Sequence, residues 1–431
     1  MTDVLRRAVM RDHTVHERPS TPLELLFDLC FVVAVAFLAA ELHHGLAGGH
    51  AISAVAAYAL LFVPIWWAWM SYSWFATAFS HDDAITRVLT LAQMGGVLAL
   101  AAAIPSATRG ELVPFAVAYA VMRLPLILNW LRSAYADPVH RAFAVTYAAG
   151  STVAQLLWVA GALAGGGGGR VVFVAALLVE LATPVLAVRR SPDRVFHPGH
   201  IAERYGLFTI IVLGETILAV STGLVEVVED GLVAADVLLA VGCALVIAAA
   251  LWWAYFAALS TEALERNRAA AFFWGYGHYA IFAAIAAVGA GVRALVQGLT
   301  AASAGAYSAH GSGAGAEVAM GVQPEHRAGS AGAIMVAVAA AIALFALAAM
   351  VRAAQHRRPI GHLIGPAIGL LVAAAATTAI GPLVTLALVA LLCCGAAAVV
   401  RNVHVGERDG DAAVVEALAT EPDPGAEQRR P

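Results

Sequence analysis

Long apolar runs recur along the 431-residue chain and constrain its fold more than any other feature. A helix needs about 20 consecutive, mostly apolar residues to cross the hydrocarbon core of a bilayer. Twelve runs of this kind fall roughly at residues 22–42, 53–79, 85–104, 112–131, 142–163, 171–188, 202–222, 233–259, 270–297, 331–351, 360–377 and 380–400. The sequence therefore predicts an all-α polytopic membrane protein with about twelve transmembrane helices, and the lipid bilayer is its first partner.

The composition excludes several other classes of protein. Hydrophobic residues make up 61% of the chain and charged residues 13%, which is more apolar surface than a soluble core of this length can bury. The net charge is −4 and no basic patch stands out, so we expect no nucleic-acid partner. The chain has no phosphate-binding loop, dinucleotide fingerprint or zinc-protease motif. We therefore expect no cofactor, no metal and no ATP-driven transport by this chain alone.

The arginines indicate how the chain crosses the membrane. Most of them fall in the N-terminal segment, in the connections after even-numbered spans and in the C-terminal tail. Because positively charged residues favour the cytoplasmic side, both termini are predicted to be cytoplasmic. Residues 1–21 are then a cytoplasmic segment, and the acidic tail 401–431 is predicted to be disordered. The glycine run 164–170 is predicted to form a flexible outer turn, and the Gly-, Ala- and Ser-rich stretch 300–330 a flexible outer loop.

Three features occur twice in the same order at nearly the same spacing. Residues 66–69 read Trp-Trp-Ala-Trp and residues 252–255 read Trp-Trp-Ala-Tyr. A carboxylate precedes each motif by one span, Asp28 and Glu215, and hydroxyl and acidic residues follow each motif. This pattern predicts two parallel halves of six helices, 22–190 and 191–400, related by an axis along the membrane normal. The alternative is that tryptophans cluster at membrane interfaces in any protein.

Polar residues inside the spans need an explanation, because a charge at the bilayer centre costs roughly 2.5–3.5 kcal/mol. Asp28 and Glu24 are four residues apart and share a helix face. In a low dielectric two neighbouring carboxylates cannot easily both ionise, so one is expected to hold a proton. The alternative for Glu24 is that it only helps to start the first helix.

Further candidates lie in later spans, and their pairing stays open. Glu215 lies near the middle of the seventh span, where it is either protonated or paired with Arg123 or another cation. Arg123 precedes Pro125, a residue that bends helices. It is either the binding group for an anion or the countercharge of Glu180 or Glu215. His278 and Arg293 also fall within a span.

Two polar clusters are predicted on the inner face. The first contains His81, Asp82, Asp83 and Arg87, which read either as a solvated cap of the third helix or as acid–base groups. The second contains His197, His200, Glu203 and Arg204. Metal binding there, or at His43, His44 and His50, is the weaker interpretation, because such spacings are common by chance.

Several stretches resemble the bacterial low-temperature-requirement protein A (LtrA) family. They are Pro-Leu-Glu-Leu-Leu-Phe-Asp-Leu at 22–29, the motif at 66–69 with Asp82, Asp83 and Arg87, the stretch 203–215, and the motif at 252–255. The resemblance implies a polytopic protein of the bacterial cytoplasmic (inner) membrane. It implies no activity, substrate or catalytic residue.

We expect a proton-linked secondary transporter of a small solute, with Asp28 and Glu215 as paired carboxylates in a site between the two halves, near Arg123 and Glu180. Two alternatives stay open. One is an intramembrane lipid-handling enzyme that uses the inner-face clusters, although an enzyme is the less favoured interpretation. The other is a structural or sensory protein whose polar residues pin helix packing. The sequence leaves the solute and the oligomeric state open.

Overall fold

A computed structural model describes residues 9–10, 19–80, 83–191, 196–229, 235–258, 264, 268–312, 324–354 and 361–400. Over these residues the protein is all-α, apart from a two-residue antiparallel pairing of Val9–Met10 (β1) with Phe79–Ser80 (β2). The helices are α1 Pro22–Ala47, α2 Ala51–Ala78, α3 Ala84–Ala102, α4 Ile104–Thr108, α5 Leu112–Ala136, α6 Arg141–Ala164, α7 Gly166–Val188, α8 Pro198–Glu229, α9 Ala235–Ala258, α10 Arg268–Ser312, α11 Pro324–Ala354, α12 Gly361–Ile380 and α13 Pro382–Val400.

Among the described residues, twelve helices are long and apolar enough to cross a membrane, which are all of the helices except the short α4. This confirms the predicted polytopic all-α architecture and the number of spans. Pro105 lies in the first turn of α4, where its missing N–H leaves no helical bond unmade. The turn at Ala103 therefore separates α3 from α4 within the predicted third run.

The glycine run between α6 and α7 differs from the prediction of a flexible turn over 164–170. Only Gly165 separates the two helices, and α7 already begins at Gly166. Gly165 and Gly166 have φ values of 59° and 51°, which reverse the chain at little cost because glycine has no Cβ. The following glycines close helical bonds, since the N–H of Gly169 donates to the carbonyl of Gly165 at 2.7 Å.

The predicted loop 300–330 is also partly helical. Helix α10 continues to Ser312 and α11 begins at Pro324, while residues 313–323 lie outside the described residues. Most of residues 1–21, predicted as a cytoplasmic segment, and all of the predicted tail 401–431 lie outside them as well.

Helix α1 is central and packs against α2, α3, α8, α10 and α11. We call the end of the bundle at which α1 begins the proximal face and the opposite end the distal face. Helix α2 runs back from the distal face, because its Ala54 lies against Gly45 of α1 while its Trp69 bonds to Asp28. Helix α8 runs parallel to α1, because His200 and Arg204 face Glu24 and Asp28 in the same order.

Candidate functional site

A buried ion pair joins α1 to α8 in the proximal half of the bundle. The Arg204 guanidinium donates to Oδ1 of Asp28, and both side chains are fully buried. The indole Nε1 of Trp69 on α2 donates to the same oxygen at 2.7 Å. Further hydrogen bonds offset part of the cost of burying a charge pair, so the Trp69 indole helps to keep Asp28 oriented toward Arg204.

Glu24 and His200 form a second contact between the same helices, one helical turn closer to the proximal face. The Glu24 carboxylate lies 3.8 Å from Arg204 Nη1 and 3.4 Å from His200 Nε2. It also accepts the N–H of Thr21 at 2.7 Å and completes a capping box at the start of α1. Glu24 therefore starts the helix and also faces Arg204, so the two interpretations of this residue are not exclusive.

Aromatic rings enclose the pair. Arg204 lies over the Tyr72 ring at 5.6 Å, a cation–π geometry, and Tyr72 stacks on Phe27 at 3.8 Å. Trp69 stacks on Phe208 at 4.2 Å. Asp28 Oδ2 makes no hydrogen bond with a described residue. That oxygen is therefore the position at which Asp28 can take up a proton.

A second carboxylate–arginine pair joins α8 to α10 in the distal half. Arg293 Nη2 lies 2.9 Å from Glu215 Oε1; Glu215 is buried, and the Arg293 side chain is 19% exposed. Gly289 allows this close approach, because a Cβ there would lie 2.9 Å from Glu215 Cγ. The partner of Glu215 is therefore Arg293 and not Arg123.

The two pairs do not form one site. Arg204 and Glu215 lie on the same helix, about 16 Å apart along its axis at 1.5 Å per residue. The buried side chains of Phe208 and Val212 lie between them. Asp28 and Glu215, predicted as paired carboxylates, thus occupy two depths, and α8 contributes one member to each ion pair.

Glu180 and Arg123 lie in the bundle of α5, α6 and α7. Glu180 Oε1 accepts Tyr119 Oη at 2.8 Å and Gln155 Nε2 at 3.1 Å. Arg123 is 2% exposed, acts electrostatically on Glu180, and its Nε and Nη1 make no hydrogen bond with a described residue. Of the two carboxylates considered for Arg123, the structure therefore places it beside Glu180.

The predicted inner-face clusters are only partly described. His81 and Asp82 lie outside the described residues. Asp83 caps α3 by accepting the N–H of Thr86 at 2.8 Å, and it pairs with Arg132 at 2.5 Å. Burial alone would raise the pKa of Asp83, but the Thr86 and Arg132 bonds hold it below the ordinary value. The cap of α3 is thus buried, in contrast to the solvated cap expected.

The remaining residues of the inner-face clusters differ in how exposed they are. The Arg87 N–H donates to the Asp83 carbonyl at 3.1 Å as the first turn of α3. The carboxylate of Glu203 accepts the N–H of Ser20 at 3.1 Å at an exposed position. Its neighbour Arg204 is fully buried. The sequence pattern did not separate these two residues, because both fall in the predicted inner-face cluster at the start of the seventh span, 202–222.

No group of three or more His, Cys, Asp or Glu side chains within the described residues is arranged to hold a metal ion. His43 bonds to Gln297 at 2.8 Å, and His44 lies 3.9 Å from Glu41. His278 is buried between the Trp274 carbonyl at 2.7 Å and the Tyr255 hydroxyl at 2.9 Å. His43 and His278 are therefore hydrogen-bonding groups between or within helices, and His44 lies beside Glu41.

Twelve apolar helices with carboxylate–arginine pairs between them define a multi-pass integral membrane protein. Within that class the chain belongs to the family described as bacterial low temperature requirement A protein (LtrA), which it matches over residues 19–400. It is also similar to an uncharacterized protein, RA0937, of Rhizobium meliloti (strain 1021), with 31% identity over 219 residues. That match covers 49% of this chain and 52% of the relative, so the chain spans about half the length of the relative it matches.

Proposed function

We propose that this protein is a proton-linked secondary transporter of a small solute in the bacterial inner membrane, with both termini in the cytoplasm. The observation that carries the proposal is the pair of buried carboxylate–arginine contacts at two depths, Asp28 with Arg204 and Glu215 with Arg293. Ionisable groups within spans are costly and commonly mark proton or substrate pathways.

Protonation of either carboxylate changes the local charge, and this change drives a movement of the helix. A proton on Asp28 or Glu215 removes the negative charge, but the facing guanidinium stays positive at any physiological pH. An uncompensated buried cation is unfavourable, so the arginine moves toward water or another carboxylate. Because α8 contributes Arg204 to one pair and Glu215 to the other, proton binding at either depth acts on the same helix.

Helix packing supports two related halves, although the proposal does not depend on the repeat. Helix α1 packs against α2 and α3, α3 against α5, and α5 against α6. In the same order, α8 packs against α9 and α10, α10 against α11, and α11 against α12. The short α4 is an extra element of the first half.

A thermal-shift screen of the purified protein against ions and metabolites, at two pH values, tests the proposal. A compound at ten times its dissociation constant stabilises the folded state by about 1.4 kcal/mol. We expect a compound whose effect depends on pH in the wild type and loses that dependence in Glu215→Gln. Asp236→Asn, at an exposed position in the first turn of α9, is the matched control and should keep it.

Flux then separates transport from binding. In proteoliposomes with an internal pH dye, a gradient of the identified compound should drive proton movement in the wild type and in Asp236→Asn. Asp28→Asn and Glu215→Gln should reconstitute with their helices intact and move no protons. Unchanged proton movement in both variants, or lost stability with unchanged flux, would show that the ion pairs serve only to pack helices.

A further inference from the structure

A cavity of about 310 Å³ opens on the distal face between α1, α2 and the end of α4. This volume lies at the lower end of the range of small-molecule sites. Leu38, Leu42 and Ala57 form an apolar part of its wall. Its polar lining residues are Glu41, His44, His50, Ser53, Tyr58, Thr108 and Arg109. The cavity thus combines an apolar surface with groups of both charges.

Glu41 offers a fixed negative group in this cavity. Thr108 donates its hydroxyl to Glu41 Oε2 at 2.7 Å, which holds the carboxylate in place. Among the described residues, the other oxygen, Oε1, has His44 Nδ1 as its charged neighbour, at 3.9 Å, which is beyond hydrogen-bonding distance. One carboxylate oxygen is therefore available to a donor such as an ammonium group.

Arg109, the residue after Thr108, supplies a positive charge opposite to that of Glu41. It is exposed and lines the same cavity. Its guanidinium makes no ion pair with Glu41 or with any other described carboxylate. A guanidinium binds a carboxylate through two parallel hydrogen bonds, so an acidic group is its natural ligand.

We propose that this cavity binds a zwitterion of amino-acid size, with its ammonium group on Glu41, its acidic group on Arg109 and a small apolar side chain beside Ala57. Glu41 and Arg109 do not pair with each other in the protein. In the proposed complex each instead pairs with the opposite charge of the ligand. This inference rests on the proposed function only in identifying the bound zwitterion as the transported solute.

The position of the cavity relates it to the distal ion pair. Tyr58 lines the cavity and donates its hydroxyl to the Ala283 carbonyl on α10 at 2.7 Å. A ligand in the cavity thus contacts a side chain that touches α10, the helix that holds Arg293.

Three probes of one shape separate the contributions of the two charges. Leucine carries both charges, 3-methylbutylamine only the positive one, and 4-methylpentanoate only the negative one. Binding is measured by calorimetry with the full chain in lipid nanodiscs, without a proton gradient. We expect leucine to bind at least tenfold more tightly than either single-charge probe. Equal affinity for leucine and either single-charge probe overturns the proposal.

Variants assign each charge. Glu41→Gln should weaken the binding of leucine and of the amine at least tenfold and leave the binding of the acid unchanged. Arg109→Gln should weaken the binding of leucine and of the acid at least tenfold and leave the binding of the amine unchanged. Arg109→Lys keeps the charge and should retain part of the leucine affinity. The exposed residues Arg170 and Asp236 provide controls, and Arg170→Gln and Asp236→Asn should bind leucine as the wild type does. Unchanged leucine binding in Arg109→Gln contradicts the proposal.

Flux separates the failure of this inference from that of the proposed function. Leucine binding with the expected variant pattern but without leucine-driven proton movement supports this site and refutes proton-linked transport of the bound compound. Proton movement driven by another solute, in a protein that does not bind leucine, overturns this site and leaves the transporter standing.

Discussion

Replacing Asp28 by Asn should destabilise the protein more than replacing its partner Arg204 by Gln. The Asn variant leaves a fully buried guanidinium that cannot lose its proton. Breaking a buried ion pair from one side costs about 3–5 kcal/mol. Glu24, 3.8 Å from Arg204, recovers part of this loss, so we expect about 3 kcal/mol.

The Arg204→Gln variant should lose less. It leaves two carboxyl groups, Asp28 and Glu24, and each can become neutral by taking up a proton. The cost is then that of incompletely bonded polar groups, about 1–3 kcal/mol. This loss should shrink as the pH falls, because both carboxyl groups then become neutral in the variant.

Reversible unfolding by sodium dodecyl sulfate in mixed micelles, followed by circular dichroism, measures both losses. Glu215→Gln is the comparison, because Arg293 is 19% exposed and can reach water, and its loss should be smaller than that of Asp28→Asn. The reasoning is refuted if Asp28→Asn lies within about 1 kcal/mol of the wild type, the value of a surface pair, or if Arg204→Gln is the less stable variant.

Three further outcomes are expected. Asp83→Asn should lower the stability of the folded state by up to about 1 kcal/mol at pH 7 through loss of the ion pair with Arg132, because Asn can still cap the helix. Because its folded pKa lies below the ordinary value of 3.8, the stability Asp83 contributes is complete above pH 3.8 and is lost as the pH falls through the folded pKa. The wild type and this variant should therefore converge in melts taken at decreasing pH. Gly332→Ala should lower the melting temperature, because its Cβ would lie 2.5 Å from a backbone nitrogen of α10, whereas Gly95→Ala meets open space and should not. A double-mutant cycle of Arg123→Gln with Glu180→Gln should give a coupling above about 0.5 kcal/mol, and simple additivity would contradict an electrostatic interaction between them.

The spans could be predicted from the sequence because hydropathy is a local property. Each of the twelve runs is apolar enough to be recognised without its neighbours. The same reasoning placed Asp28, Glu215 and Glu180 inside the membrane, and the structure buries all three. The prediction of a flexible turn was wrong for most of residues 164–170, because α7 begins at Gly166. A run of glycines is typical of flexible turns, but glycine also permits close packing of helices.

The pairing of the charges could not be predicted in the same way. The sequence pattern groups Arg204 with the inner-face residues although the predicted run 202–222 contains it; in the structure α8 begins at Pro198 and Arg204 is fully buried in the bundle. Two matched spacings offered a signal. Glu24 and Asp28 are four residues apart on one predicted helix, and His200 and Arg204 are four apart on another. Acids and bases in the same order indicate parallel helices in register.

The Asp28–Arg204 contact also sets an order of assembly, since its partners are 176 residues apart in the chain. At a synthesis rate of about 5–20 residues per second, Arg204 leaves the ribosome roughly 9 to 35 s after Asp28. During that interval α1 has no guanidinium from α8 to neutralise its carboxylate. Asp28 therefore enters the bilayer as the protonated acid, or α1 stays at the insertion machinery until α8 arrives. In the second case, biogenesis of this protein includes a waiting step, which slower translation prolongs and a charge-free residue at position 28 abolishes.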